Sequence, residues 1–282
     1  LTEPSVPATE GWGRNEVDSF ILHKLKAKNL EPSETASPRV LIRRLTFDLT
    51  GLPPSPKEIK AFEKEYASDP EHAYEELVDR LLASPRYGER IARHWLDVAK
   101  YADTCGYDKD KLRPNAWPYR DYVIRSFNND KPYDQFIKEQ IAGDILYPDT
   151  EDGIMALGFL AAGPWDFIGH VEVSESKMDG KVARNLDRDD MVSNVFNSFC
   201  ATTIQCARCH EHKGDPIGQD HYYSLQSIFA AVDKADRVYG MDPKVARKKE
   251  ELLIRQGELS REISLANKEI KKKGGEKLKE LD

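Results

Sequence analysis

Residues 55–98 read SPKEIKAFEKEYASDPEHAYEELVDRLLASPRYGERIARHWLDV. Three times a small polar residue precedes proline, at Ser55-Pro56, Asp69-Pro70 and Ser84-Pro85. Proline fits the first position of a helix, where its missing N–H has no intrahelical partner and its φ is already helical. Ser55 with Glu58 three residues on has the form of a capping box. Apolar residues follow each start at helical spacing: Ile59 and Phe62, then Tyr74, Leu77, Val78, Leu81 and Leu82, then Tyr87, Ile91, Trp95 and Val98. The stretch predicts three consecutive amphipathic helices.

The same period extends in both directions. Val17, Phe20, Ile21 and Leu25 predict a first helix, and Leu41, Leu45 and Leu49 a second, ended by Gly51 and Pro53-Pro54. Tyr119, Tyr122, Val123 and Phe127 fit one helix; Tyr133, Phe136, Ile137, Ile141 and Ile145 fit the next. A short apolar helix is expected over 154–162, closed by Gly163-Pro164. A long one is expected over about 182–200, and another over 222–232. Residues 165–181 lack a period, and Val171-Glu172-Val173 reads as a short extended piece. No alternating strands occur, so the expected fold is all-α, an irregular multi-helix domain. A linker over 1–11 would precede a helical domain over 12–240, with an amphipathic tail over 241–282 leading to a further domain. The chain opens at Leu1 without a signal-like stretch and reads as an internal segment of a longer protein.

The tail differs from the body. Leu252, Leu259, Ile263 and Ile270 recur at heptad-like spacing among Lys and Glu until Gly274-Gly275. It reads as a helical hairpin arm or coiled-coil segment with a partner, or as a linker helix packing on another part.

The 282 residues carry 42 basic and 49 acidic side chains, and residues 243–282 hold 12 of the basic and 8 of the acidic ones. The body is thus strongly acidic, which argues against a nucleic-acid binder. With 12 Tyr, 10 Phe and 4 Trp the chain can build a core. No apolar run is long enough to span a membrane.

One motif carries chemistry: Cys206-Ala207-Arg208-Cys209-His210, C-x-x-C-H. This is the attachment pattern of c-type haem. Two thiols at this spacing reach the two vinyl groups on one haem edge, and the next residue places an imidazole under the iron as proximal ligand. One motif implies one haem. Two alternatives use the same residues: zinc held by Cys206, Cys209 and His210 or His212, which lacks the usual second pair of ligands, and a redox-active dithiol, which should follow a strand.

For the distal side of the iron, His212 is excluded, because two residues of chain span at most ~7 Å. Met191 would lie ~22 Å from Cys206 along a straight helix and serves only if that helix breaks. His94 is the favoured ligand: with Ile91, Trp95 and Val98 on its face, its imidazole is expected in apolar surroundings, where the competing role is a core histidine bonded to backbone. His170, His221, Met155 and Met178 rank lower, and His23 and His72 sit among charges. Arg90 and Arg93 are candidate haem-propionate partners, or else pair with Glu89 or Asp97 at the surface. Asp187, Asp189 and Asp190 suggest a cation site, but read rather as residues that solvate and cap a helix start. Cys105 and Cys200 are either a disulfide or two separate thiols.

Five stretches resemble the second planctomycete cytochrome-like domain: residues 43–54 (RRLTFDLTGLPP), 84–106 (SPRYGERIARHWLDVAKYADTCG), 119–144 (YRDYVIRSFNNDKPYDQFIKEQIAGD), 158–169 (GFLAAGPWDFIG) and 206–216 (CARCHEHKGDP). Their order and spacing match over roughly residues 12–232. Cys105, Cys200 and Gly214 depart from the residues expected there. The resemblance implies an exported, periplasmic or cell-surface location, and another cytochrome-like or redox module as partner, in the same polypeptide or outside it. It implies no activity, and its haem label rests on the same C-x-x-C-H. The resulting expectation is a single haem c domain in electron transfer. The alternatives are a haem site with an open sixth position and a structural domain stapled by haem or zinc.

Overall fold

The computed structural model describes residues 4–8, 11–107, 109–148, 150–237, 239–240 and 243–274. Every regular element among these residues is a helix; Thr104 and Leu112 form one isolated antiparallel bridge, and there is no strand among the described residues. The chain divides into two compact units, 1–87 and 88–282.

In the first unit α1 (Glu16–Lys26) and α2 (Pro38–Thr50) contain the apolar residues expected of the first two helices, and α3 (Pro56–Ser68) and α4 (Pro70–Leu82) begin at the predicted prolines. The Ser55 hydroxyl accepts from Glu58 N–H at 3.3 Å, and Glu58 returns a carboxylate to Ser55 N–H at 2.8 Å. Gly51, at φ +72°, ends α2 in the left-handed conformation that glycine adopts without a Cβ clash. Ile42, Phe62, Ala73, Leu77 and Leu81 form a small core. Each of the larger side chains there contributes about 1.5–3 kcal/mol by leaving water. On α1 the buried residues are Ser19 and Leu22, whereas Val17 and Ile21 are exposed.

The second unit is laid out by α5 (Pro85–Val98), α6 (Trp117–Asn128), α7 (Tyr133–Leu146), α8 (Glu151–Met155), α9 (Gly158–Ala161), α10 (Phe167–Val171), α11 (Met178–Cys200), a 3-10 helix (Ile204–Arg208) and α12 (Gln219–Ile228). Trp95 is the hub. Its indole N–H donates to Gln140 Oε1 at 2.9 Å, and its ring lies 4.9 Å from Phe136 and 5.7 Å from Phe199. Gly88 lets α5 meet α6: a Cβ there would stand 2.5 Å from the Ile124 carbonyl oxygen. The buried positions of α5 are Gly88 and Ala92, so Val98, expected inward, is exposed.

Three local expectations are corrected. The helix over 154–162 is two, α8 and α9, with the intervening 156–157 outside both. Val171-Glu172-Val173 is not extended: Val171 closes α10, and Glu172 caps it in right-handed helical geometry. The long helix begins at Met178, four residues before the first residue of the expected stretch.

The tail is α13 (Pro243–Gly274), a 32-residue helix exposed from Glu251 to Lys273. Gly275 and residues 276–282 lie outside the described residues, as do parts of the expected 1–11 linker. No described helix is long and apolar enough to cross a membrane.

Candidate functional site at the C-x-x-C-H turn

The motif is positioned by a chain reversal. α11 stops at Cys200 because Ala201 takes left-handed geometry, φ 51° and ψ 34°. The chain then turns back, and the 3-10 helix Ile204–Arg208 packs against α11. Ile204 and Ala207 enter the same apolar cluster as Met191, Val192, Val195 and Tyr222. Ala207, the first residue between the two cysteines, is fully buried, while Cys206 and Cys209 are exposed on either side of it. The buried methyl group anchors the turn, and both thiols face solvent.

The second intervening residue fixes the turn electrostatically. Arg208 donates to Asp189 Oδ2 at 2.6 Å, and the Tyr222 hydroxyl donates to Asp189 Oδ1. The Arg208 carbonyl accepts from Gln219 at 2.9 Å and from the Tyr223 hydroxyl at 3.3 Å. A hydrogen bond to Cys209, followed by the charge of Asp189, raises the Arg208 pKa further above its usual value. Burial, then the bond to Asp189, raises that of the Tyr222 phenol.

The two histidines of the motif have different roles. His210 is exposed, and its Nδ1 lies 2.7 Å from the Glu211 carbonyl oxygen. A carbonyl only accepts, so Nδ1 carries the proton and Nε2 of the neutral ring keeps its lone pair for a metal. His212 is spent on structure. Its Nδ1 accepts the backbone N–H groups of Gly214 (3.2 Å) and Asp215 (2.9 Å), and its Nε2 pairs with the Thr203 hydroxyl at 3.1 Å. Both ring nitrogens of His212, the alternative third zinc ligand of the sequence reading, are thus engaged within the loop. No group of three or more His, Cys, Asp or Glu side chains among the described residues is placed to hold a metal ion.

The other predicted site residues are dispersed. His94 is exposed on α5, off the stripe of Gly88 and Ala92, so the apolar setting expected for it is corrected. At 100° per residue it stands about 160° around the helix from Ala92. Met191 is 1% exposed inside the core. α11 is unbroken, yet the reversal at Ala201 returns the motif to Met191's own apolar cluster, so a straight helix no longer measures their separation. Arg90 is half-buried with Nε unpartnered, and Arg93 is exposed. Cys105 is buried and Cys200 exposed, both as free thiols.

The three aspartates are the residues that sequence reasoning misread. Because α11 starts at Met178, they sit in its third and fourth turns rather than at its start. There they radiate to three segments: Asp187 to Lys234 at 2.6 Å, Asp189 to Arg208, and Asp190 to Lys100 at 2.7 Å. The sequence signal was their angular spread: positions 187, 189 and 190 fall on three different faces of one helix.

No curated protein and no solved structure matches the chain. The model of the PSCyt2 family, described as protein of unknown function (DUF1549), matches residues 16–234, across both compact units and through the whole C-x-x-C-H turn, and the chain belongs to that family.

Proposed function

We propose that this domain attaches one haem c through Cys206 and Cys209, with His210 as proximal ligand, and serves in electron transfer outside the cytoplasm beside another redox module. The observation that carries this reading is the turn itself: two solvent-facing thiols flank a buried alanine, and the adjacent imidazole has its Nε2 free. That donor set fits the group, and a haem bound there supplies one-electron chemistry at iron. The protein's part is orientation. Arg208, tied to Asp189, holds the spacing of the thiols, and the Glu211 carbonyl holds the His210 ring and raises the basicity of its free nitrogen.

The test is expression in exported form with a cytochrome c maturation system. The expected product is red, keeps its haem under denaturing conditions and gives a c-type pyridine haemochrome; Cys206→Ala with Cys209→Ala abolishes covalent attachment. A colourless protein holding one tight zinc per chain overturns the proposal.

A second reading, a haem whose sixth position is open to a small ligand, is supported by the exposure of His94 and the burial of Met191 in the core. Carbon monoxide binding by the reduced haem protein separates it from a six-coordinate electron carrier.

A further inference from the structure

The tail helix carries a charge pattern with an internal symmetry. Val245, Leu252, Leu259 and Ala266 recur every seven residues on α13, and Lys249, Gln256, Ile263 and Ile270 recur four residues after each. Together they form one seam, with alternating steps of four and three, along a helix roughly 48 Å long. All eight are exposed. On one flank of the seam stand Lys248, Arg255, Glu262 and Glu269, two cations followed by two anions.

We infer that α13 pairs with α13 of a second copy of this chain as an antiparallel coiled coil with its dyad between Gln256 and Leu259. In that register Ile263 meets the partner's Leu252, and Ile270 meets the partner's Val245. Lys249 faces the partner's Ala266, whose small side chain leaves room for the lysine stem to reach water. On the flank Lys248 meets the partner's Glu269, and Arg255 meets the partner's Glu262. The dyad repeats every pair, as an isologous interface requires.

A parallel, in-register pair loses both features. Lys249 would then face Lys249, and the charged flank would face Leu253, Ser260 and Asn267, which cannot answer it. The flank charges already lean on carboxylates or lysines of their own helix, as in Lys248–Glu251 at 3.0 Å and Arg255–Glu258 at 2.8 Å. These exposed pairs are weak enough to be shared across an interface. The inference does not depend on haem.

The experiment uses the full 282-residue chain under reducing conditions. Light scattering coupled to size exclusion is expected to give twice the 32.1 kDa of one chain at high concentration, returning to one chain on dilution. Glu262→Lys with Glu269→Lys makes the flank uniformly basic and weakens the dimer by about tenfold or more. Adding Lys248→Glu and Arg255→Glu to the same chain restores it. The uniformly basic variant mixed with a Lys248→Glu, Arg255→Glu variant forms a heterodimer. Circular dichroism of the monomers verifies that the helix persists. A chain that stays single at every concentration, or a dimer indifferent to the reversals, overturns the proposal.

Discussion

Arg208 and Asp189 are nineteen residues apart in sequence and joined by a 2.6 Å ion pair, so the C-x-x-C-H turn is held to the helix that precedes it. Asp189→Ala removes this partner and also that of the Tyr222 hydroxyl. The expected cost is about 1–3 kcal/mol, because the buried Tyr222 hydroxyl loses its acceptor. Urea unfolding measures it. The looser turn should also lower the yield of attached haem relative to wild type in the same maturation strain.

His94 lies on the exposed face of α5. In haem-loaded protein, His94→Ala is expected to leave the spin state and the haem yield unchanged, whereas His210→Ala alters the iron spectrum. A change from low-spin to high-spin in His94→Ala would return His94 to the distal position.

Met191 fills the core beneath the turn at 1% exposure. Met191→Ala should cost about 2–5 kcal/mol through lost transfer energy and the cavity left behind. The loss would appear in the thermal midpoint of the apoprotein. A wild-type midpoint, with the effect confined to the iron spectrum, would identify Met191 as an iron ligand rather than a packing residue.

Asp152 gives the second unit a defined acid limb. Burial pushes its pKa up, but hydrogen bonds from Lys131, at 2.7 Å, and from Arg125 outweigh this and leave it below the usual carboxylate value. A depressed pKa stabilises the fold above the unfolded value, and the contribution is lost as pH falls through the folded value. Asp152→Asn is therefore expected to flatten the stability profile below about pH 4 while lowering stability at neutral pH. Denaturation across a pH series checks both.

The cysteines differ in reach. In reduced apoprotein Cys200, Cys206 and Cys209 are exposed and Cys105 is buried. A thiol reagent should titrate three groups quickly and the fourth only on unfolding. Two fast groups would mean that Cys200, too, is shielded from the reagent.

Helix starts, the absence of alternating strands and the C-x-x-C-H spacing were legible in the chain because each is written within a few neighbouring residues. Ser55-Pro56, Asp69-Pro70 and Gly51 act through local backbone chemistry, and all three lie where helices begin or end. The environments of single side chains were not legible. His94 has apolar neighbours at helical spacing, but α5 buries its glycine and alanine positions because α6 approaches closely over Gly88. The aspartates of α11 resemble a solvated helix start until Lys100, Arg208 and Lys234 arrive from distant parts of the chain. The sequence by itself determined the helices and the thiol–thiol–imidazole order. Only the tertiary structure decided that Ala201 reverses the chain, that Ala207 is buried between two exposed cysteines, and that His212 is consumed by its own loop, because each depends on contacts that exist only after the chain has folded back on itself.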